Sequence, residues 1–219
     1  MRLQPGPDTR MCLSGRWRKV MAKKLIFATN NQGKVNEIKQ ILGDGYDVYS
    51  LKDLDIHTDI VEDGKTFEEN AIIKARAICK ETHEMVLADD SGFEVDYLDG
   101  EPGIYSARYL GEDTSYDIKN AEILRRCEKA EDHERAARFV CAIACAYPDG
   151  RVETTKGVIE GVLAREPKGT NGFGYDPIFY LPERGCTTGE MEPEEKNRIS
   201  HRGIALRKMV EKLEKQVVE

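Results

Sequence analysis

Four short polar segments hold the residue types that phosphate and nucleotide chemistry needs. The first, Thr29-Asn30-Asn31-Gln32-Gly33-Lys34, lies between an apolar strand-like run and a helix-like run. Backbone N–H groups and the positive end of a helix can cradle an anion there, and Lys34 adds a cation. It is not a Walker A loop, because Ala28 stands at the first glycine position and Val35 at the required Ser/Thr. An ordinary strand-to-helix turn would use the same Asn and Gly residues. The second, Asp89-Asp90-Ser91-Gly92, follows the apolar run Met85 to Ala88, with Glu62 and Glu69 available from the acidic loop and helix before it. Carboxylates gathered at a strand end make a hard oxygen site suited to Mg2+. Adjacent strand residues point to opposite faces, so Asp89 and Asp90 meet one ion only if the chain turns there. Without a turn, one is catalytic and the other structural. A solvated acidic turn is the plain alternative.

The third segment is Gly169-Thr170-Asn171-Gly172-Phe173-Gly174-Tyr175-Asp176-Pro177. Its G-x-x-G-x-G spacing runs into proline rather than a helix, so the dinucleotide fingerprint does not apply. Its glycines allow a flat ligand close to the backbone, Phe173 can stack on a base, and Asp176 can accept from ring N–H groups. A structural glycine turn with core aromatics explains it nearly as well. The fourth, Lys196 to Arg202, opens the last predicted helix with Lys196, His201 and Arg202. Cations oppose the macrodipole at a helix N-terminus, and that local conflict points to an anionic ligand.

The elements that must position these segments are legible from periodicity. LIFAT at 25–29 reads as a buried strand, and Val35, Ile38, Ile41 and Leu42 share a helical face that Gly43 and Gly45 stop. A strand follows at 46–50, then an acidic loop at 53–64. Thr66 and Glu69 form a T-x-x-E capping box before Ala71, Ile72, Ala75 and Ile78. Another strand is expected at 85–88, a Gly/Pro-rich segment at 100–111 and a helix at about 116–129. Long antiparallel strands at 138–147 and 151–164 flank the turn Pro148-Asp149-Gly150. After the glycine loop come a short run at 177–181, an acidic stretch, and a final helix capped by Ser200 with Leu206, Val210, Leu213 and Val217 on one face. Mixed helices and strands with a hairpin between them give an α/β or α+β fold of two lobes around a cleft.

Composition narrows the partners. The 219 residues carry 33 basic and 40 acidic side chains, a formal charge of −7, so electrostatic binding to long nucleic acid is not expected. No apolar run spans a membrane. The first 20 residues are +4 and the remainder −11, and the break at Met21 reads as a disordered or non-native extension before a single two-lobed domain over 21–219. The six cysteines show neither C-x-x-C nor zinc-finger spacing, which suits a reducing cytoplasm.

Taken together, ATNNQGK at 28–34, TFEENAIIKA at 66–75, ADDSGFEVDYLDGEPGIYSARY at 88–109, GFGYDPIF at 172–179 and EEKNRISHRGIAL at 194–206 resemble the Ham1/RdgB family of inosine triphosphate pyrophosphatases. The resemblance implies an elongated two-lobed α/β fold with flanking helices and a central nucleotide cleft. It implies a Mg2+-dependent homodimer that hydrolyses ITP, dITP and XTP to monophosphate and pyrophosphate. By motif position, Thr29, Asn30, Asn31, Gln32, Gly33 and Lys34 would hold phosphate, Asp90 would be metal ligand and general base, and Glu62 a second metal ligand. Ser91 would touch substrate. Phe173, Gly174, Tyr175 and Asp176 would wall the base, with Lys196, His201 and Arg202 reading base and phosphates. Bacterial members usually have Thr-Gly-Asn where this chain has Thr29-Asn30-Asn31, and Asn tolerates the left-handed geometry that Gly favours. A non-catalytic nucleotide-binding module would not need the carboxylates; a pyrophosphatase for modified pyrimidine nucleotides would use another base wall.

Overall fold

The computed structural model describes residues 23–215. The readings of 1–20 as an extension, of a start at Met21, and of Val217 as a helix-face residue lie outside these. Chain order is β1 (Lys23–Phe27), α1 (Gln32–Leu42), β2 (Tyr46–Ser50), α2 (Phe67–Thr82), β3 (Val86–Val95), α3 (Tyr116–Arg126), β4 (Ala136–Ala146), β5 (Val152–Leu163), β6 (Phe179–Leu181), β7 (Cys186–Thr187), α4 (Pro193–Ile199) and α5 (His201–Lys215). One seven-stranded mixed sheet runs β2-β1-β3-β4-β5-β6-β7. β1 pairs parallel with β2 and β3, through the helical crossovers that parallel neighbours require, and the remaining pairs are antiparallel.

The helices form where local signals converge. Asn31 caps α1 by accepting from the Lys34 N–H at 3.1 Å, and Gly43 ends it with φ 58°. Thr66 caps α2 by accepting from the Glu69 N–H at 3.1 Å, but the Glu69 carboxylate turns back to the Lys65 N–H rather than completing a box. α3 stops at Arg126, three residues short of the expected end. The acidic stretch after the glycine loop contains α4, which periodicity over seven residues was too short to reveal.

Strand alternation decides what each face buries. Ala142, Ala144 and Ala146 of β4 meet Ala71, Ala75 and Ile78 of α2, small side chains that let the helix lie close. On the other face Cys141, Ile143 and Cys145 meet Ala205, Leu206, Met209 and Leu213 of α5, together with Ile38 of α1. Met209 takes the buried position expected of Val210, which is only half-buried. A third cluster joins Phe93, Phe139, Tyr175 and Phe179 with Ile123 of α3 and Cys127 just after it. The five described cysteines are free thiols, and no helix among the described residues is long and apolar enough to cross a membrane.

Candidate active site

A cavity of about 400 Å³ is lined by residues from all four polar segments, with Ala28 and Leu51 of one apolar cluster and Phe93, Phe139 and Tyr175 of another. β3 decides its electrostatics. The strand does not end at Ala88 but continues in register with β4 through Val95, with Asp89 opposite Ile143 and Asp90 opposite Ala142. The chain makes no turn there, so the two aspartates lie on opposite faces.

Asp89 faces α1 and α5. It accepts from Lys34 Nζ at 2.9 Å, Arg202 Nε at 3.3 Å and Ser91 Oγ at 2.8 Å. Its burial would raise its pKa, but the charges of Lys34, Arg202 and Lys74 outweigh that and hold it well below the usual carboxylate range. Asp90 faces α2, accepting from Asn70 Nδ2 at 3.1 Å and Lys74 Nζ at 3.4 Å. Here burial wins over Lys74 and Lys34, and the pKa is pushed up. Lys74 Nζ also donates to Glu62 at 2.8 Å, so one ammonium gathers the two carboxylates expected to hold metal. Glu69, on the exposed side of α2, does not join them.

A buried relay connects α1 to the glycine loop. Lys196 Nζ donates to Glu37 at 2.9 Å and to Asp176 at 2.6 Å, while Arg202 Nη1 donates to the second Glu37 oxygen. Burial works against the Glu37 carboxylate, yet Arg202 and Lys196 hold its pKa below the ordinary value. Asp176 takes the Phe173 N–H at 2.8 Å and Thr188 Oγ1 at 2.8 Å as well. Its oxygens are thus engaged by the protein, where they position Phe173 and Lys196. Arg202 is likewise committed at all three nitrogens, to Asp89, Glu37 and Ser91. Lys196 does not open the last helix as expected; it belongs to the separate α4. His201 and Arg202 begin α5, where Ser200 Oγ accepts from the Gly203 N–H at 3.1 Å. They can sit this deep because Gly157 of β5 has no side chain: a Cβ there would lie 2.1 Å from the His201 carbonyl oxygen.

The cavity wall includes Thr29, Asn30, Asn31, Lys34, Glu62, Asp90, Ser91, Phe173, Gly174, Tyr175, Asp176, Lys196, His201 and Arg202. Gln32 points away and donates to Asn36 at 2.9 Å. Gly33 lies behind the Phe173 ring, whose Cδ1 would be 2.8 Å from an added Cβ. Neither Asn30 nor Asn31 has positive φ, so the left-handed geometry expected at this loop is not used.

The whole arrangement can be set beside known proteins. The Ham1 family profile matches residues 25–212. The chain belongs to the Ham1 family. It is 50% identical over 189 residues to a Bacillus licheniformis protein named dITP/XTP pyrophosphatase, covering 85% of this chain and 96% of that one. The Bacillus subtilis protein of the same name is 46% identical over 196 residues, covering 89% and 99%. The Ham1 protein structure of Staphylococcus aureus superposes with a TM-score of 0.79 at 43% identity, over 89% of this chain and all of that one. That of Coxiella burnetii gives 0.80 at 40%, over 88% and 99%.

In this Ham1 chain the sequence reading missed Glu37, Asn70 and Lys74. Asn70 and Lys74 are spaced i, i+4 beside the apolar face of α2, the one signal that could have marked them. Glu37 carried no such signal, since a polar residue on α1 is unremarkable until α4 and α5 fold over it. The cations expected to meet phosphate, Lys34, Lys196 and Arg202, are all paired, and with Lys74 they face Glu37, Glu62, Asp89, Asp90 and Asp176. With His201 neutral, because burial and then Arg202 and Lys196 depress its pKa well below 6.5, acids outnumber cations in this cluster.

Proposed function

We propose that this chain hydrolyses noncanonical purine nucleoside triphosphates, ITP, dITP and XTP, to the nucleoside monophosphate and pyrophosphate. One observation carries the reading: a carboxylate centre at Asp90 and an aromatic wall at Phe173 share a single cavity in a chain half identical to proteins named for that reaction. Asp90 orients a water and accepts its proton as the water oxygen bonds to the α-phosphorus. The bond from the α-phosphorus to the α–β bridging oxygen breaks, and its electron pair leaves on pyrophosphate. Lys74 and Lys34 offset the charge that grows on the phosphates. Phe173 stacks against the base. His201 lines the cavity with a buried Nδ1 that has no partner among the described residues, and it reads the base edge as a neutral imidazole. A donor meeting the 6-oxo group would be left unpaired against adenine, which costs about 1–3 kcal/mol.

The cofactor of this reading is Mg2+. Glu62 and Asp90 are hard oxygen donors drawn to one ammonium, and one or two carboxylates are what Mg2+ usually takes from protein when substrate phosphates supply the rest. Among the described residues no three His, Cys, Asp or Glu side chains converge as a closed metal cage. When bound, the ion would supply Lewis-acid charge to phosphate oxygens, which a cluster with excess acid cannot supply alone.

The reading extends to a cytoplasmic homodimer. Tyr105, Leu110 and Ile118 are each half or more exposed, apolar surface suited to a subunit contact. Light scattering on the eluting protein should give twice 24.8 kDa. The deciding experiment for activity is incubation with Mg2+ and ITP, XTP, dITP, GTP or dTTP, with product identification. Inosine monophosphate and pyrophosphate are expected; orthophosphate would overturn the mechanism, and preference for dTTP would favour a pyrimidine enzyme.

A further inference from the structure

Two consecutive residues of α3, Lys119 and Asn120, are 1% and 4% exposed and belong to no charged or metal-binding cluster. Each reaches a different wall of the cavity. Lys119 Nζ donates to the Ala107 carbonyl at 2.6 Å, in the tight helical turn Gly103–Arg108. Asn120 Nδ2 donates to the Gly174 carbonyl at 3.1 Å, in the glycine loop. Between the walls, Tyr175 Oη donates to the Ser106 carbonyl at 2.8 Å. Three pairs of sequence neighbours, 106 with 107, 119 with 120 and 174 with 175, are thus closed into a ring by three hydrogen bonds. Lys119 Nζ also lies 4.9 Å from the centre of the Tyr116 ring, whose edge meets Tyr175 at 5.3 Å between centres. Ser106, Ala107, Tyr116, Gly174 and Tyr175 line the cavity; Lys119 and Asn120 stand behind them.

A buried ammonium needs a reason, since desolvation works against it and Lys119 has no ion-pair partner among the described residues. A charged donor to a carbonyl is stronger than a neutral one, and the ring-face contact adds to it. We infer that Lys119 and Asn120 are positioning residues that fix the distance between the two walls of the base end, and through it the selectivity among purines. The inference rests on the proposed triphosphate reading. Hydrogen bonds to backbone carbonyls set the position of the chain itself, so losing either lets a wall move as a unit rather than one side chain swing.

The test uses Lys119→Met, which keeps the stem and removes the donor, and Asn120→Leu. Wild type must first release pyrophosphate from ITP; if it does not, the functional reading falls and not this inference alone. In folded variants, the expected result is a KM for ITP raised about tenfold, kcat within about twofold, and an ITP-to-GTP ratio of kcat/KM lowered at least threefold, with Lys119→Arg restoring part of it. Unchanged KM and unchanged ratio in folded Lys119→Met and Asn120→Leu would overturn it. Hydrogen exchange on the wild-type chain keeps the question open to refutation if the variants fail to fold. Inosine monophosphate should slow exchange in 103–108, 116–120 and 172–176 together, and protection confined to one of these would overturn the inference.

Discussion

Asp89 and Asp90 are neighbours in sequence and occupy opposite faces of β3, Asp89 held by Lys34 and Arg202 and Asp90 by Asn70 and Lys74. The pleat separates a fully ion-paired carboxylate from one that lines the cavity. Asp90→Asn should retain nucleotide binding and lower turnover by about 10²–10⁴-fold. Asp89→Asn should instead unfold the chain more easily, by about 3–5 kcal/mol, because Lys34 and Arg202 lose a buried counter-charge. Pyrophosphate release and urea unfolding on both variants separate the roles; an unchanged rate in Asp90→Asn would remove it as base.

Glu37 is the hinge between Lys196 and Arg202 and carries no contact role of its own in the proposed reaction. Glu37→Gln leaves two buried cations short of charge and should cost about 3–5 kcal/mol of stability, with a raised KM. Denaturant midpoints and ITP kinetics check both. A variant as stable as wild type would mean that the relay is slack.

Two glycines should respond differently to a methyl group. At Gly92 an added Cβ would sit 2.3 Å from the Gly103 carbonyl oxygen, backbone that cannot step aside, so Gly92→Ala should cost at least about 1–3 kcal/mol. At Gly33 the obstacle is the Phe173 ring. Gly33→Ala should shift that ring and raise KM several-fold, with a small change in melting temperature. Equal melting temperatures for the two variants would contradict this contrast.

His201 gives a pH dependence of known sign. Its pKa in the folded chain is depressed below 6.5, by burial first and then by Arg202 and Lys196, so the unfolded chain binds the proton more readily. Stability from this group is therefore full above the unfolded value of about 6.5 and falls as pH drops below it. In His201→Gln the loss of stability between pH 7.5 and 5.5 should be smaller than in wild type, measured by urea unfolding at each pH. An identical loss in both proteins would assign the acid sensitivity elsewhere.

Residue order was enough for the local parts. Periodicity and caps marked α1, α2 and the β4–β5 hairpin, because a helix face or a strand alternation is written within a dozen residues. Types and spacing also picked out the loops that line the cavity. What they could not supply was pairing at long range. Lys196 meets Glu37 across 159 residues and Arg202 meets Asp89 across 113. The sequence showed free cations suited to phosphate, and only the folded sheet, with α1, α4 and α5 packed over one face, matched each to a carboxylate. The same packing continued β3 past Ala88, since its partner β4 supplies hydrogen bonds through Val95 whatever the acidity of Asp89 and Asp90. Local chemistry determined which residues could act, and tertiary contact decided which remain free to do so.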